Sequence, residues 1–397
     1  MGISPLTTSV AGSSAAGPAM DPEIEETIRR WKTAKFLTET PEGLKLSLSE
    51  WPIGIRQEDM DTVLWLLNDT RSPLTSLTID FCPGMSKEYI DAIAGALKDN
   101  SHLVSLCLIP GLMERINLEQ DPHESQRGEV LAMALTVNTT LTQLCFYGQG
   151  IRDSGGLQFA QVLRTNSSLT SLDLGHNGIQ PNATSAIAQA LIANSSLQTL
   201  RMFKNCTGEA YPDVAELVSK NSTLTQLDIA DNAIPAQGMA SIGQALLTNT
   251  TLTGLTCMAN DARDDVPQVF ADVIRSNPTL MTLNLAFTKI NNEGALRIAD
   301  ALPYTTSLTR LCIGENTEVV WQDAYPALAR GLYSNSSITY LRTSVGRGSI
   351  SFQQMDHYSK RNTYNAKKRV ESLFELLWVA TNGATVLEPS TSQIVEL

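Results

Sequence analysis

A chain of 397 residues is longer than a single hydrophobic core readily serves, so it holds either two ordinary domains or one repeat array. Its 42% hydrophobic and 18% charged residues are those of a folded, soluble protein, and a formal charge of −12 argues against nucleic acid or an anionic membrane as the main partner, since both need concentrated Lys and Arg. No stretch approaches the roughly 20 apolar residues of a membrane helix, so membrane insertion is not expected.

Residues 1–20, "MGISPLTTSVAGSSAAGPAM", contain fifteen Ser, Thr, Ala, Gly or Pro and no charged side chain. Such a stretch buries too little to offset its ordering entropy and is expected to be disordered. It lacks the basic start and apolar run of a secretory signal peptide, and Leu6 stands where a myristoylation motif takes Ser or Thr. Residues 21–73 are expected to form an amino-terminal cap, with a charged helix near Glu23 to Phe36 and a degenerate strand "LKLSL" at Leu44 to Leu48.

From residue 74 to 345 the chain repeats. The phrase "NSSLTSLDLGHNGI" at 166–179 has near-copies at 138–151 and 221–234, and the first leucines of the L-x-x-L-x-L phrases are Leu74, Leu103, Leu141, Leu169, Leu197, Leu224, Leu252, Leu280 and Leu308, with Ile338 in the same place. The intervals are 29, 38, 28, 28, 27, 28, 28, 28 and 30 residues, a period too steady for chance. Ten residues before each start from Leu103 on stands a large apolar residue (Phe159, Ile187, Phe270), nine before it Ala or Gly, and six before it Leu, Val or Ile. Positions four apart share one helical face, so each unit reads as a helix with one buried stripe followed by a short strand. The small residue lets each helix approach its neighbour or the sheet, and Asn with Ser or Thr closes the corner.

Eight residues after the start, Asn177, Asn205, Asn232, Asn260 and Asn316 form a column suited to satisfying backbone groups of adjacent turns. Cys82, Gly111, Gln149 and Thr288 depart from it, and looser turns are expected there. Nine Asn-x-Ser/Thr sequons fall mostly at the repeated corner, where a turn needs a small polar residue; glycosylation is the alternative. The long interval places about ten inserted residues within Pro110 to Val130, on the rim after a strand, as a neutral length variation or as a contact loop. Residues 346–382, with helical patterns at Phe352 to Arg361 and Lys367 to Ala380, are expected to cap the far end, and residues 383–397 to form a loose tail.

These residues resemble the ribonuclease-inhibitor-like leucine-rich repeats, over roughly residues 44 to 345. The resemblance implies an α/β leucine-rich repeat solenoid: a right-handed horseshoe with a parallel sheet on its concave side and helices outside. It implies binding of another protein far more strongly than any activity. The uncharged leader resembles the amino-terminal secretion regions of bacterial type III effectors, which implies a virulence protein delivered into a host cell and a host protein as partner. The alternative is a cytoplasmic regulator of an enzyme, an inhibitor or a GTPase activator, with Arg201 or Arg310 as contacts.

Alternation along each strand turns the leucines inward and the residues two and four later outward. The outward column four residues after the start runs Thr78, Cys107, Cys145, Asp173, Arg201, Asp228, Thr256, Asn284, Cys312 and Arg342, so Asp173, Arg201 and Asp228 are expected to form an alternating charge ladder. Cys107 and Cys145 are neighbours in that column, close enough to be bridged, though free thiols are the expectation. Near the same surface lie Tyr147, His176, Phe203, Lys204, Met258, Phe287, Arg310 and Tyr340, of types that carry energy at protein interfaces, with Phe203 beside Arg201 and Lys204 as the expected centre.

No catalytic role is expected. Cys145 and His176 are three positions out of register, roughly 10 Å apart, too far for proton transfer. The four histidines are scattered, no CxxC or HxxxH spacing occurs, and no Gly-rich phosphate loop is present, so neither metal nor cofactor is expected. The last cysteine, Cys312, lies inside the repeats, which disfavours the appended ubiquitin-ligase domain of some bacterial relatives.

Overall fold

The computed structural model describes residues 22–49, 56–82, 87–110, 124–263 and 265–343. The leader 1–20, most of the inserted segment (111–123), the expected carboxy-terminal cap 346–382 and the tail 383–397 lie outside the described residues.

The strands follow the leucine phrases. Among the described residues, twelve strands form one sheet in sequence order: β1 Leu37–Thr40, β2 Gly43–Ser49, β3 Leu74–Cys82, β4 Ser105–Pro110, β5 Gln143–Phe146, β6 Ser171–Asp173, β7 Thr199–Arg201, β8 Gln226–Asp228, β9 Gly254–Thr256, β10 Thr282–Asn284, β11 Arg310–Cys312 and β12 Tyr340–Arg342. All pairs are parallel except β1 with β2. Each parallel step crosses over through a helix on the outer side, giving the α/β leucine-rich repeat solenoid with a concave sheet.

The helices obey the stripe read from the sequence. They run α1 Pro22–Thr33, α2 Gln57–Asn68, α3 Lys87–Leu97, α4 Glu124–Leu135, α5 Arg152–Leu163, α6 Pro181–Ile192, α7 Tyr211–Lys220, α8 Ala236–Leu246, α9 Val266–Ser276, α10 Asn292–Ala301 and α11 Trp321–Tyr333. From Leu103 onward, the columns ten and six residues before each start are buried throughout, as are the small residues between them, from Ala94 to Ala329. Their smallness matters where helices meet: a Cβ on Gly243 of α8 would lie 2.6 Å from Val269 Cγ1 of α9. The leucines of all units join one continuous interior from Trp31 to Leu332, with Leu172, Leu200 and Leu227 directly in register.

At the amino-terminal end the expected helix and strand are present, joined by a strand that the sequence reading omitted. The four-residue β1 turns through Gly43 (φ 132°) and covers the first edge of the sheet, where open backbone groups would otherwise invite strand addition. Asp59 of α2, almost fully buried, fastens α1 by accepting from the Arg30 guanidinium and from Trp31 Nε1 at 3.3 Å, while Arg56 Nε reaches it at 3.1 Å. Pairing is what makes a buried carboxylate tolerable.

Three polar ladders bind unit to unit. In the turn after the strand, Asn205 Oδ1 accepts from the amides of Asn177 and Ile179, both at 3.0 Å, while its Nδ2 donates to Leu174 O at 3.1 Å. Asn232 and Asn260 repeat the pattern one and two units on, and Asn316 serves Thr288 and Ile290. Gln149 and Thr288 are fully buried: Gln149 Nε2 reaches Leu108 O at 3.1 Å while its Oε1 is left without a partner among the described residues, and the Thr288 hydroxyl donates to Leu285 O at 2.7 Å. Gly111 and the Cys82 side chain lie outside the described residues.

At the corner before each strand a second asparagine acts. Asn221 Oδ1 accepts from Thr223 N and Leu224 N, and its Nδ2 donates to Leu191 O, the open carbonyl at the end of the preceding unit's helix. The sequon asparagines Asn138, Asn166, Asn194, Asn205, Asn221, Asn249 and Asn335 all commit Nδ2, the atom a glycan would take, to such inward bonds. The third ladder is the threonine that follows the first position in seven of the ten units, with Val104, Gln198 and Met281 in the others: Thr170 Oγ1 donates to Thr142 O at 3.1 Å, and Thr253 Oγ1 to Thr225 O at 3.0 Å.

Candidate functional site on the concave sheet

The outward column is in register as expected: Cys107 opposes Cys145, Cys145 opposes Asp173, Asp173 opposes Arg201 and Arg201 opposes Asp228. The charge ladder itself is not formed by contact. Among the described residues no ion pair within 4.0 Å joins Arg201 to either carboxylate; Arg201 is exposed, and each Asp turns to the backbone of its own strand end. Asp173 Oδ1 accepts from Gly175 N at 2.9 Å and Asp228 Oδ1 from Ala230 N at 3.0 Å. Asn284, in the same column, makes the same bond to Ala286 N at 3.1 Å.

Burial raises the pKa of both aspartates above the usual carboxylate value, only partly offset by those amide donors and by Arg201; for Asp228 the nearby Asp173 charge adds to the rise. A carboxyl whose titration is raised on folding stabilises the fold when protonated, and that contribution is lost as pH rises through its folded titration point. Asp173→Asn keeps the amide acceptor, as Asn284 demonstrates, and removes the charge. It is expected to stabilise the protein by about 1 kcal/mol at neutral pH, the scale on which partly compensated buried polar groups act. Urea denaturation at descending pH should show that gain shrinking as Asp173 protonates; a gain independent of pH would refute the cause.

The eleven surface residues picked from the sequence fall into separate groups. Tyr147, His176 and Phe203 come together. The rings of Tyr147 and Phe203 stack at 5.3 Å with an interplanar angle of 23°, and His176 meets Tyr147 edge-on at 5.7 Å. The stacked rings belong to units that are not neighbours, for the unit between them carries Gly175 at the equivalent position. A Cβ there would stand 2.5 Å from Phe203 Cε1, so glycine is what lets the phenyl ring lie across the intervening backbone and reach Tyr147. Arg201 and Lys204 are exposed beside it, with Asp173 and Asp228 half-buried on either side.

The other residues lie apart from this cluster. Met258 is half-buried two units on, its sulfur 3.6 Å from Asn284 Nδ2, and Phe287 follows at 50% exposure. Arg310 lies 4.5 Å over the ring of Tyr340, roughly 20 Å further along the sheet from Phe203 at about 4.8 Å per strand.

The sequence reading missed the turn geometry behind His176, Lys204 and Phe287. Seven residues after the first leucine in the units from Leu141 to Leu308 the backbone is left-handed, at His176 (φ 56°), Lys204 (55°), Asp231 (51°), Ala259 (55°), Phe287 (56°) and Glu315 (57°), with Gly148 (66°) in the same place. The glycines of "YGQG" and "GHNG", standing beside the ladder residue, were the available signal.

Among the described residues no group of three or more His, Cys, Asp or Glu is placed to hold a metal ion, and no helix is long and apolar enough to cross a membrane. A family model described as "Leucine Rich repeat" matches residues 165–188, 220–243 and 276–299. Similar solved structures include the tropomodulin C-terminal domain of Caenorhabditis elegans, at 14% identity over 40% of this chain and 90% of that one, with a TM-score of 0.33. A chain of the yeast Rad7 and Elc1 complex matches at 14% identity over 68% of this chain, which spans 62% of that one, with a TM-score of 0.46. An internalin from Listeria monocytogenes matches at 16% identity over 79% of this chain and 85% of that one, with a TM-score of 0.39. The matched segments each run from a corner asparagine or its neighbour through strand, turn and helix, and the same columns continue through the units between them, in keeping with an α/β leucine-rich repeat solenoid fold.

Proposed function

We propose that this protein is a binding scaffold whose partner is another protein, seated on the cluster of Tyr147, His176 and Phe203 on the concave side. The carrying observation is that ring stack over Gly175. Two aromatic rings are assembled in advance on the sheet, so docking there immobilises little further side-chain freedom. Exposed Arg201 and Lys204 supply a polar border, and aromatic residues with Arg are the types that dominate interface energetics.

Affinity for partners captured from lysate is the test. Phe203→Ala is expected to weaken binding by about 2 kcal/mol, roughly thirtyfold, whereas Phe287→Ala, three units away, should leave it unchanged. Equal affinity of Phe203→Ala and wild type would move the binding face elsewhere. We further propose delivery into a host cell, with a host protein as the partner; what supports it is the uncharged, Ser-rich composition of residues 1–20.

A further inference from the structure

We propose that Cys107 and Cys145 form a reactive dithiol, a modification site at which a low-molecular-weight disulfide oxidises the pair to an intramolecular bridge. The two residues are directly opposed on the adjacent parallel strands β4 and β5. Their neighbours Leu106, Leu108, Leu144 and Phe146 are buried, so alternation puts both thiols on the outward face, where both are partly exposed. Neighbouring strands hold Cα atoms roughly 4.8 Å apart, inside the span of about 4.4–6.8 Å that disulfides bridge. Closure needs rotation of two side chains and a small approach of their Cβ atoms, with no rearrangement of the sheet.

The pair differs from the other described cysteines. Cys206 is exposed but has no thiol opposite it, Cys257 is sealed in the core, and Cys312 faces Asn284 on one side and Arg342 on the other. Facing each other across the strand pair, the two thiols influence one another: Cys145 favours the Cys107 thiolate, against the opposing influence of burial, Asp80 and Asp173. The nearby Cys107 and burial hold the Cys145 proton more firmly. One sulfur is thereby the first nucleophile and the other the resolving thiol.

In the first step the Cys107 thiolate attacks one sulfur of the reagent. A new S–S bond forms, the reagent's own S–S bond breaks, and the departing thiolate takes up a proton. Cys145, deprotonated in turn, attacks the Cys107 sulfur, and the second reagent thiolate leaves and is protonated. Two protein thiols are oxidised to one bridge, and one reagent disulfide is reduced to two thiols.

The full-length protein is treated with glutathione disulfide at pH 8, then alkylated and digested with trypsin. Arg115 and Arg127 lie between the two cysteines, so Cys107 and Cys145 emerge on separate peptides, each with a single cysteine. The expected result is one species in which those peptides are joined with the loss of two hydrogens, while Cys206 carries a glutathione adduct instead. Cys107→Ser should abolish the joined species, and Cys145→Ser should leave Cys107 as a stable glutathione adduct. Separate adducts on Cys107 and Cys145 in the wild type, or failure of both to react while Cys206 does, would overturn the proposal. The unfolding temperature of the oxidised wild type should rise by several degrees over the reduced form, since the bridge closes a 38-residue segment; an unchanged temperature in a sample shown by mass to be bridged would mean that the native strands do not accommodate the bond.

Discussion

Asn205→Ala is expected to cost the fold about 4 kcal/mol, measured as a fall in the denaturant midpoint. The side chain holds four backbone groups within 3.1 Å: Asn177 N and Ile179 N at 3.0 Å donate to it, and it donates to Leu174 O at 3.1 Å and Met202 O at 2.9 Å, with a longer contact to Phe203 O at 3.5 Å. Alanine leaves all four in place, 6% exposed at that position, with little water to replace the lost partner. Each buried group left unsatisfied costs about 1–3 kcal/mol, and the sum is moderated by relaxation of the turn. Asn205→Asp sharpens the test, because it keeps the acceptor and replaces the donor by an oxygen facing two carbonyls. Its stability should recover in acid, where protonation restores a donor, while the alanine variant should show no such recovery.

Phe270→Ala is expected to destabilise by about 4 kcal/mol through the cavity it leaves. The ring is fully buried on α9 against α8, where Gly243 gives it room, and the continuous interior has no mobile element to collapse into the space. Phe287→Ala, at a half-exposed turn position, should cost under about 0.5 kcal/mol. Because each unit touches only its neighbours, amide exchange should rise most in the units flanking Phe270 and least near β3. A loss under about 1 kcal/mol would show that the helix layer is not packed as described.

The repeat was legible because one residue type recurs wherever one physical task recurs. Leucine fills the interior at three positions per unit, alanine marks the helix contact, and asparagine reports a turn whose amides need an acceptor. Within the site, the row from Cys107 to Asp228 followed from register alone. Whether Arg201 touches its neighbours did not, because a long side chain on an open sheet is held by solvation as much as by charge, and a shorter aspartate finds an amide closer than a guanidinium. The aromatic stack was hidden for a different reason. It depends on what Gly175 lacks, and an unoccupied volume becomes informative only once the chain on either side is placed.

The side-chain ladders all point one way. Asn205 closes the turn of the unit before it, Asn221 the helix end before it, and Thr170 bonds to the strand before it. A growing polypeptide therefore emerges with its newest turn incomplete, and that turn is finished only when the following 28 or so residues arrive. Synthesis and assembly run in the same sense, each arrival sealing its predecessor.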